Sequence, residues 1–171
     1  MTLREAIALI DAATPLLQHA HPQHWADLGC GAGLFTEALT HLLPSRSTVY
    51  GIDTKPTLRQ TSHIIPIKAD FIKDDLSLRD LDGILMANSL HYVKDKPALL
   101  DKLSTYMRPD SPVIIVEYDT DQAVSTWVPY PLSYTSLTKL FTAAGYPRMQ
   151  KLGQRPSAYG RANIYAAIAA H

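Results

Sequence analysis

The stretch "WADLGCGAGLFTEAL", residues 25–39, limits what this chain can fold into more than any other part of it. A short apolar run passes through Gly29, Gly31 and Gly33 into a helical pattern. A strand that enters a helix through closely spaced glycines presents backbone N–H groups at a helix N-terminus. Open α/β sheets use that arrangement to bind nucleotide-like ligands at the carboxyl ends of their strands.

The flanking sequence extends the pattern. Strand is predicted at 24–29, helix at about 33–43 and strand at 48–53, which together make a βαβ unit. Further strands are expected in "HIIPIKAD" (63–70), "DGILMAN" (82–88) and "SPVIIVEY" (111–118), whose near-continuous apolar character suits strands covered on both faces. Short helical segments should lie between them. The clearest helix is "KPALLDKLSTYM", with Pro97 in its first turn and Leu99, Leu100, Leu103, Tyr106 and Met107 on one face.

The two ends differ from this middle. Thr2 and Glu5 have capping-box spacing, so residues 1–20 should open with an amphipathic helix. Near the end, "YTSLTKLFTAAGY" reads as a helix stopped at Gly145, followed by "RMQKLGQ" and "RANIYAAIAA". Those two strands have no crossover helix between them and must pair antiparallel. The fold class is therefore α/β, a Rossmann-like doubly wound sheet finished by an antiparallel C-terminal strand hairpin. At 171 residues one domain, 1–171, is expected: the helix in 1–20, a ligand-binding core at 24–118, and a loop, helix and hairpin at 119–171.

Composition narrows the partners. Sixteen basic and sixteen acidic side chains balance, so no summed positive field draws in nucleic acid or an anionic membrane. The lone Cys30 precludes an internal disulfide or a Cys-pair zinc site. His19, His21 and His24 in "HAHPQH" lack helical i, i+4 spacing and any nearby ligand other than Asp27, so no metal is expected. The N-terminal segment lacks the uninterrupted apolar run of a signal peptide or membrane span. These features suggest a cytoplasmic protein, monomeric or a small homo-oligomer.

Two details discriminate among ligands. Leu34 occupies the place where the dinucleotide fingerprint requires its third glycine, so the loop is GxGxG rather than GxGxxG. Asp27, at the end of the first strand, would repel a pyrophosphate but suits a cationic ligand. The ammonium and sulfonium groups of S-adenosylmethionine meet that requirement.

"DLGCGAG", "GID" at 51–53, "KADF" at 68–71, "DGILMANSLHYV" at 82–93 and "MRPDSPVIIVE" at 107–117 together resemble the ordered motif set of class I S-adenosylmethionine-dependent methyltransferases of the small-molecule type. The resemblance spans nearly the whole chain and implies the strand order 3-2-1-4-5-7-6. It implies that Asp27, Gly29, Gly31 and Gly33 hold the methionine portion, with Cys30 a small buried neighbour. Asp53 would accept the ribose hydroxyls, a role that a carboxylate's capacity for two donors also supports. Asp70 would receive the adenine amino group, Phe71 would offer the base an N–H and a ring edge, and Asn88 would hold the amino-acid end. The run Leu90, His91, Tyr92 resembles the "LHH"-like element of small-molecule methyltransferases.

On the acceptor side, His91 is the candidate general base because an imidazole titrates near neutrality. Its alternative is a solvent-facing residue at a helix start. Glu117 would orient an acceptor or satisfy backbone donors. Tyr92, Tyr118, Trp127 and Tyr130 would form substrate walls, the last three around a long aromatic loop, unless Trp127 and Pro129 merely cover a sheet edge. Arg155, Tyr159 and Arg161, in the final turn, would bind an acidic group or remain solvated. The resulting expectation is methyl transfer to a small-molecule acceptor, yielding S-adenosylhomocysteine. The alternative is a noncatalytic S-adenosylmethionine-binding or interaction module.

Overall fold

The N-terminal capping box forms as the spacing requires. In the computed structural model, which describes residues 1–18, 20–124, 127–157 and 162–171, the Thr2 amide donates to Glu5 Oε2 at 2.7 Å and the Glu5 amide to Thr2 Oγ1 at 3.3 Å. Helix α1 (Leu3–Ile10) follows, then a single 3-10 turn and the short α2 (Thr14–Leu17). Two later helices also start on side-chain oxygens. Asp95 caps α4 (Lys96–Ser104) and Ser133 caps α5 (Tyr134–Ala143).

Between these helices lie strands β1 (His24–Leu28), β2 (Thr48–Asp53), β3 (Ile64–Lys68), β4 (Gly83–Ala87), β5 (Val113–Tyr118), β6 (Arg148–Pro156) and β7 (Asn163–Ala170). They form one sheet in the order β3-β2-β1-β4-β5-β7-β6. The first five strands pair in parallel, while β7 runs antiparallel to both β5 and β6. Both the order and the closing hairpin agree with the sequence-based expectation.

Alternation along each strand builds two cores. Trp25, Leu85, Ile114 and Ile168 point to the face covered by α1 and α3 (Leu34–Thr40), where Ile10, Phe35 and Leu39 meet them. Ala26, Ile84, Ile115 and Tyr165 point to the face covered by α4 and α5, where Leu99, Leu103 and Phe141 meet them. A sheet buried on both sides needs apolar residues at every position, which explains the continuous apolar runs.

The expected short helices at 54–62 and 71–81 do not form. The first segment, "TKPTLRQTSH", has three threonines and a proline and no apolar stripe, so it crosses from β2 to β3 without helix. The second makes one turn, closed by the Asp74 amide on the Asp70 carbonyl at 2.7 Å. Its buried Leu76, Leu78 and Leu81 then cover the sheet in place of a helix. The helix expected at 33–43 is shorter than read, ending at Thr40.

Candidate active site

The glycine loop is held between two strand ends. The Gly29 and Cys30 amides both donate to the Ile52 carbonyl, at 2.8 and 3.1 Å, which fixes the loop to the end of β2. Gly29 has φ +80°, and a Cβ there would sit 2.5 Å from the Ser89 Cβ. Ser89 cannot retreat, because its hydroxyl donates to the Leu28 carbonyl at 2.5 Å. Only glycine provides both the left-handed backbone and the missing atom.

Asp27 is 1% exposed, and one of its oxygens accepts from the Thr36 hydroxyl on α3 at 2.6 Å. The other, Oδ1, is buried without a partner, and so is Oδ1 of Asn88. Both residues line one cleft of about 250 Å³, together with Gly29, Cys30, Gly31 and Phe35. Burial pushes the Asp27 carboxyl from its ordinary 3.8 up to about 7; the Thr36 hydrogen bond opposes this and nearby Asp53 adds to it. Two orphaned acceptors in one small cleft call for a donor-rich cation, since an unpaired buried oxygen costs the desolvation it has not recovered.

Asp53 closes β2 one side of this cleft, where its oxygens accept from the Gly31 amide at 3.0 Å and the Lys55 amide at 2.9 Å. A carboxylate has about four lone-pair sites, so capacity remains for a diol. Cys30 is buried, and desolvation together with Asp27 and Asp53 pushes its thiol up to about 12, which makes it an apolar filler rather than a nucleophile. The Phe71 ring edge lies 3.5 Å from where a Gly29 Cβ would stand. Asp70, next to it, is bound to Lys73 at 3.0 Å, and that contact leads the effects that hold its carboxyl below its ordinary value.

Two residues that support this cleft from behind escaped the sequence reading. Thr36 fixes Asp27, and its signal was a polar residue within the apolar stripe of "LFTEAL". Leu58 lies where a Gly33 Cβ would fall, 2.6 Å away, while the Thr57 amide reaches the Gly31 carbonyl at 3.1 Å. Nothing in a polar, unpatterned segment marks that contact in advance.

His91 lies in a 3-10 turn after β4 and is 3% exposed, not solvent-facing. Its Nδ1 meets Glu117 Oε2 at 2.7 Å, and its amide donates to Glu117 Oε1 at 3.1 Å. Glu117 is 1% exposed at the end of β5, so a carboxylate that can only accept selects the tautomer with the proton on Nδ1. The Tyr118 ring centroid lies 6.2 Å from that of His91, and Tyr92 lies at 4.3 Å.

A second cleft, of about 480 Å³, opens beside this pair and is lined by Tyr118, Thr120, Val124, Trp127 and Val128 of the aromatic loop and by Ser157. Trp127 is 64% exposed. The loop is tied back to the His91 turn, since the Tyr130 amide donates to the His91 carbonyl at 3.0 Å and Lys96 Nζ donates to the Tyr130 carbonyl at 2.8 Å. Arg155 is committed elsewhere, because its guanidinium pairs with Glu5 of α1 at 2.9 Å. Tyr159, Arg161 and His19 fall outside the described residues.

An open α/β sheet thus brings together a glycine loop, two buried acceptors beside it and a His–Glu pair at the strand ends, with two clefts among the described residues. The chain belongs to the methyltransferase-domain family, whose model matches residues 3–165. Trans-aconitate 2-methyltransferase of Pseudomonas aeruginosa is 29% identical over 110 residues, which are 62% of this chain and 38% of that protein. The chain thus matches well under half the length of that curated relative.

Solved structures share the fold. The plantazolicin methyltransferase BpumL, in complex with S-adenosylhomocysteine, superimposes with a TM-score of 0.70 at 17% identity, covering 99% of this chain and 84% of that one. A Burkholderia thailandensis 1,6-didemethyltoxoflavin-N1-methyltransferase gives 0.69 at 19% identity, covering 98% and 77%.

Proposed function

We propose that this protein transfers a methyl group from S-adenosylmethionine to a small-molecule acceptor. One observation carries the reading: Asp27 Oδ1 and Asn88 Oδ1 are buried, unpaired and in the same cleft as the glycine loop. The amino-acid end of that cofactor brings an ammonium with donors for both. Asp27 then holds a charge it otherwise resists, and the glycine loop supplies close backbone approach. Asp53 accepts the ribose hydroxyls, and Asp70 and Phe71 flank the base.

When bound, the cofactor would supply a methyl group on a sulfonium, a neutral thioether being its leaving group. The chain's part is mainly alignment, which can be worth roughly 7–11 kcal/mol of barrier. His91 takes the acceptor's proton at Nε2, while Glu117 holds Nδ1–H and stabilises the imidazolium. Tyr92, Tyr118, Trp127 and Tyr130 wall the acceptor side. Residues 1–171 act as one domain, and its acceptor is a small molecule.

Calorimetric titration tests the cofactor. Saturable binding of S-adenosylmethionine and S-adenosylhomocysteine, with no heat from NAD, is expected. Binding of NAD alone would replace the reading with hydride transfer.

A further inference from the structure

The second cleft has an uncharged described lining. Val124, Trp127 and Val128 give it an apolar wall, and Thr120, Gln122 and Ser157 give it uncharged polar groups. None of the described lining residues carries a charge near neutral pH. At about 480 Å³ it lies in the range of pockets that enclose a small organic molecule.

The described cations around it are already engaged. Arg155 pairs with Glu5. Lys151 reaches Asp119 at 3.5 Å and sits 4.6 Å over the Tyr134 ring. Lys96 donates to the Val93 and Tyr130 carbonyls, both at 2.8 Å. The loop itself, from Tyr118 to Val124, contains Asp119 and Asp121 and no basic residue. Asp121 stays ionised, because Ser133 donates to it through amide and hydroxyl at 2.9 and 2.8 Å and thereby keeps its carboxyl below the ordinary value.

We infer that the acceptor is an uncharged, planar, aromatic or heteroaromatic molecule bearing a transferable proton, and not a polycarboxylate of the kind named for the curated relative. A flat ring gains contact with the Trp127 and Tyr118 rings and needs no counter-ion. A tricarboxylate would enter a cleft whose described lining offers it no counter-charge, and would give up hydration without replacing it. This inference rests on the methyltransferase reading for its setting, but the cleft can be tested by itself.

The experiment is calorimetric titration of the S-adenosylhomocysteine-loaded protein at pH 7 with 2-naphthol and, separately, trans-aconitate. It is repeated on Trp127→Ala and Arg161→Ala, and S-adenosylmethionine-loaded samples are checked for methylated product by mass spectrometry. The naphthol is expected to bind at least about tenfold more tightly than the tricarboxylate. Trp127→Ala should weaken it about tenfold, and Arg161→Ala should leave it unchanged. Because Trp127 is mostly exposed, its removal does not threaten folding.

Tighter binding of trans-aconitate that depends on Arg161 overturns the inference and leaves the methyltransferase reading standing. Failure of both probes with S-adenosylhomocysteine still bound has the same effect. If S-adenosylhomocysteine itself does not bind, the methyltransferase reading falls, and naphthol titration of the unloaded protein with its Trp127→Ala control still decides the cleft.

Discussion

Asp27 couples the cleft at the glycine loop to pH. Its carboxyl titrates at about 7 when folded, against an ordinary 3.8. Between about pH 4 and 7 the folded chain therefore keeps a proton that the unfolded chain has lost, and stability falls as pH rises through that window. Above about 7 both forms are ionised and the full cost of burying the charge is felt, roughly 4 kcal/mol at about 1.4 kcal/mol per pKa unit. Asp27→Asn should flatten the melting temperature between pH 4 and 7 and raise it at pH 8. The same change should weaken S-adenosylmethionine binding at least about tenfold, because the ammonium loses its counter-charge. Thermal melts across pH and calorimetry at pH 8 read the two effects.

His91 calls for a different substitution. Its pairing with Glu117 is buried, so His91→Ala would leave a carboxylate without its donor and confuse stability with chemistry. In His91→Asn the amide can still donate to Glu117, but the chain has no proton acceptor there. Turnover should fall by about 10²–10⁴-fold. Cofactor affinity, measured calorimetrically, should stay within about twofold. An equal loss in both would assign the pair to scaffolding.

At the scale of elements, the glycine loop separates conformation from contact. Gly31 has φ +52° with nothing within 4 Å of an added Cβ, whereas Gly29 adds a 2.5 Å clash with Ser89 to its own positive φ. Gly31→Ala should cost about 1 kcal/mol of strain. Gly29→Ala should cost at least about 2 kcal/mol more, since the end of β4 must move. Denaturant titration of both variants checks the order. The spacing of the glycines was legible because left-handed backbone leaves a local chemical trace; the difference between the two depends on Ser89, 60 residues away, and leaves none.

The crossovers are instructive in the opposite direction. Residues 54–63 and 71–82 connect parallel strands without helix, although the topology invites one. Local propensity prevailed: threonine and proline in the first segment, paired aspartates closing a turn in the second. Leu58 and Leu76 then do by single side chains what a helix face would do, against the glycine loop in one case and within the core on the α4 and α5 side of the sheet in the other.

For the whole molecule, α1 is part of the core and not an appendage. Ile10 is fully buried among residues of α3 and the sheet, and Glu5 ties the start of α1 to Arg155 on β6, 150 residues away. Ile10→Ala should therefore cost about 2–5 kcal/mol in a single unfolding transition, read from the urea midpoint. A separate early transition of unchanged main stability would show that α1 docks independently. No helix among the described residues is long and apolar enough to cross a membrane.

Strand identity, the glycine loop, the capping of α1 and the closing hairpin were determined by the sequence itself. Each depends on residues within a few positions of one another, where periodicity, φ preference and side-chain reach act directly. The partnerships of Asp27 with Thr36, His91 with Glu117 and Arg155 with Glu5 were decided only by tertiary structure. A charged group's role depends on what it faces after the sheet has assembled. Burial removed the solvent-facing alternative for His91 and made it half of a pair, and Arg155 is held in an ion pair with Glu5. Chain entropy spreads such distant groups apart until packing fixes them, so no local pattern records their meeting.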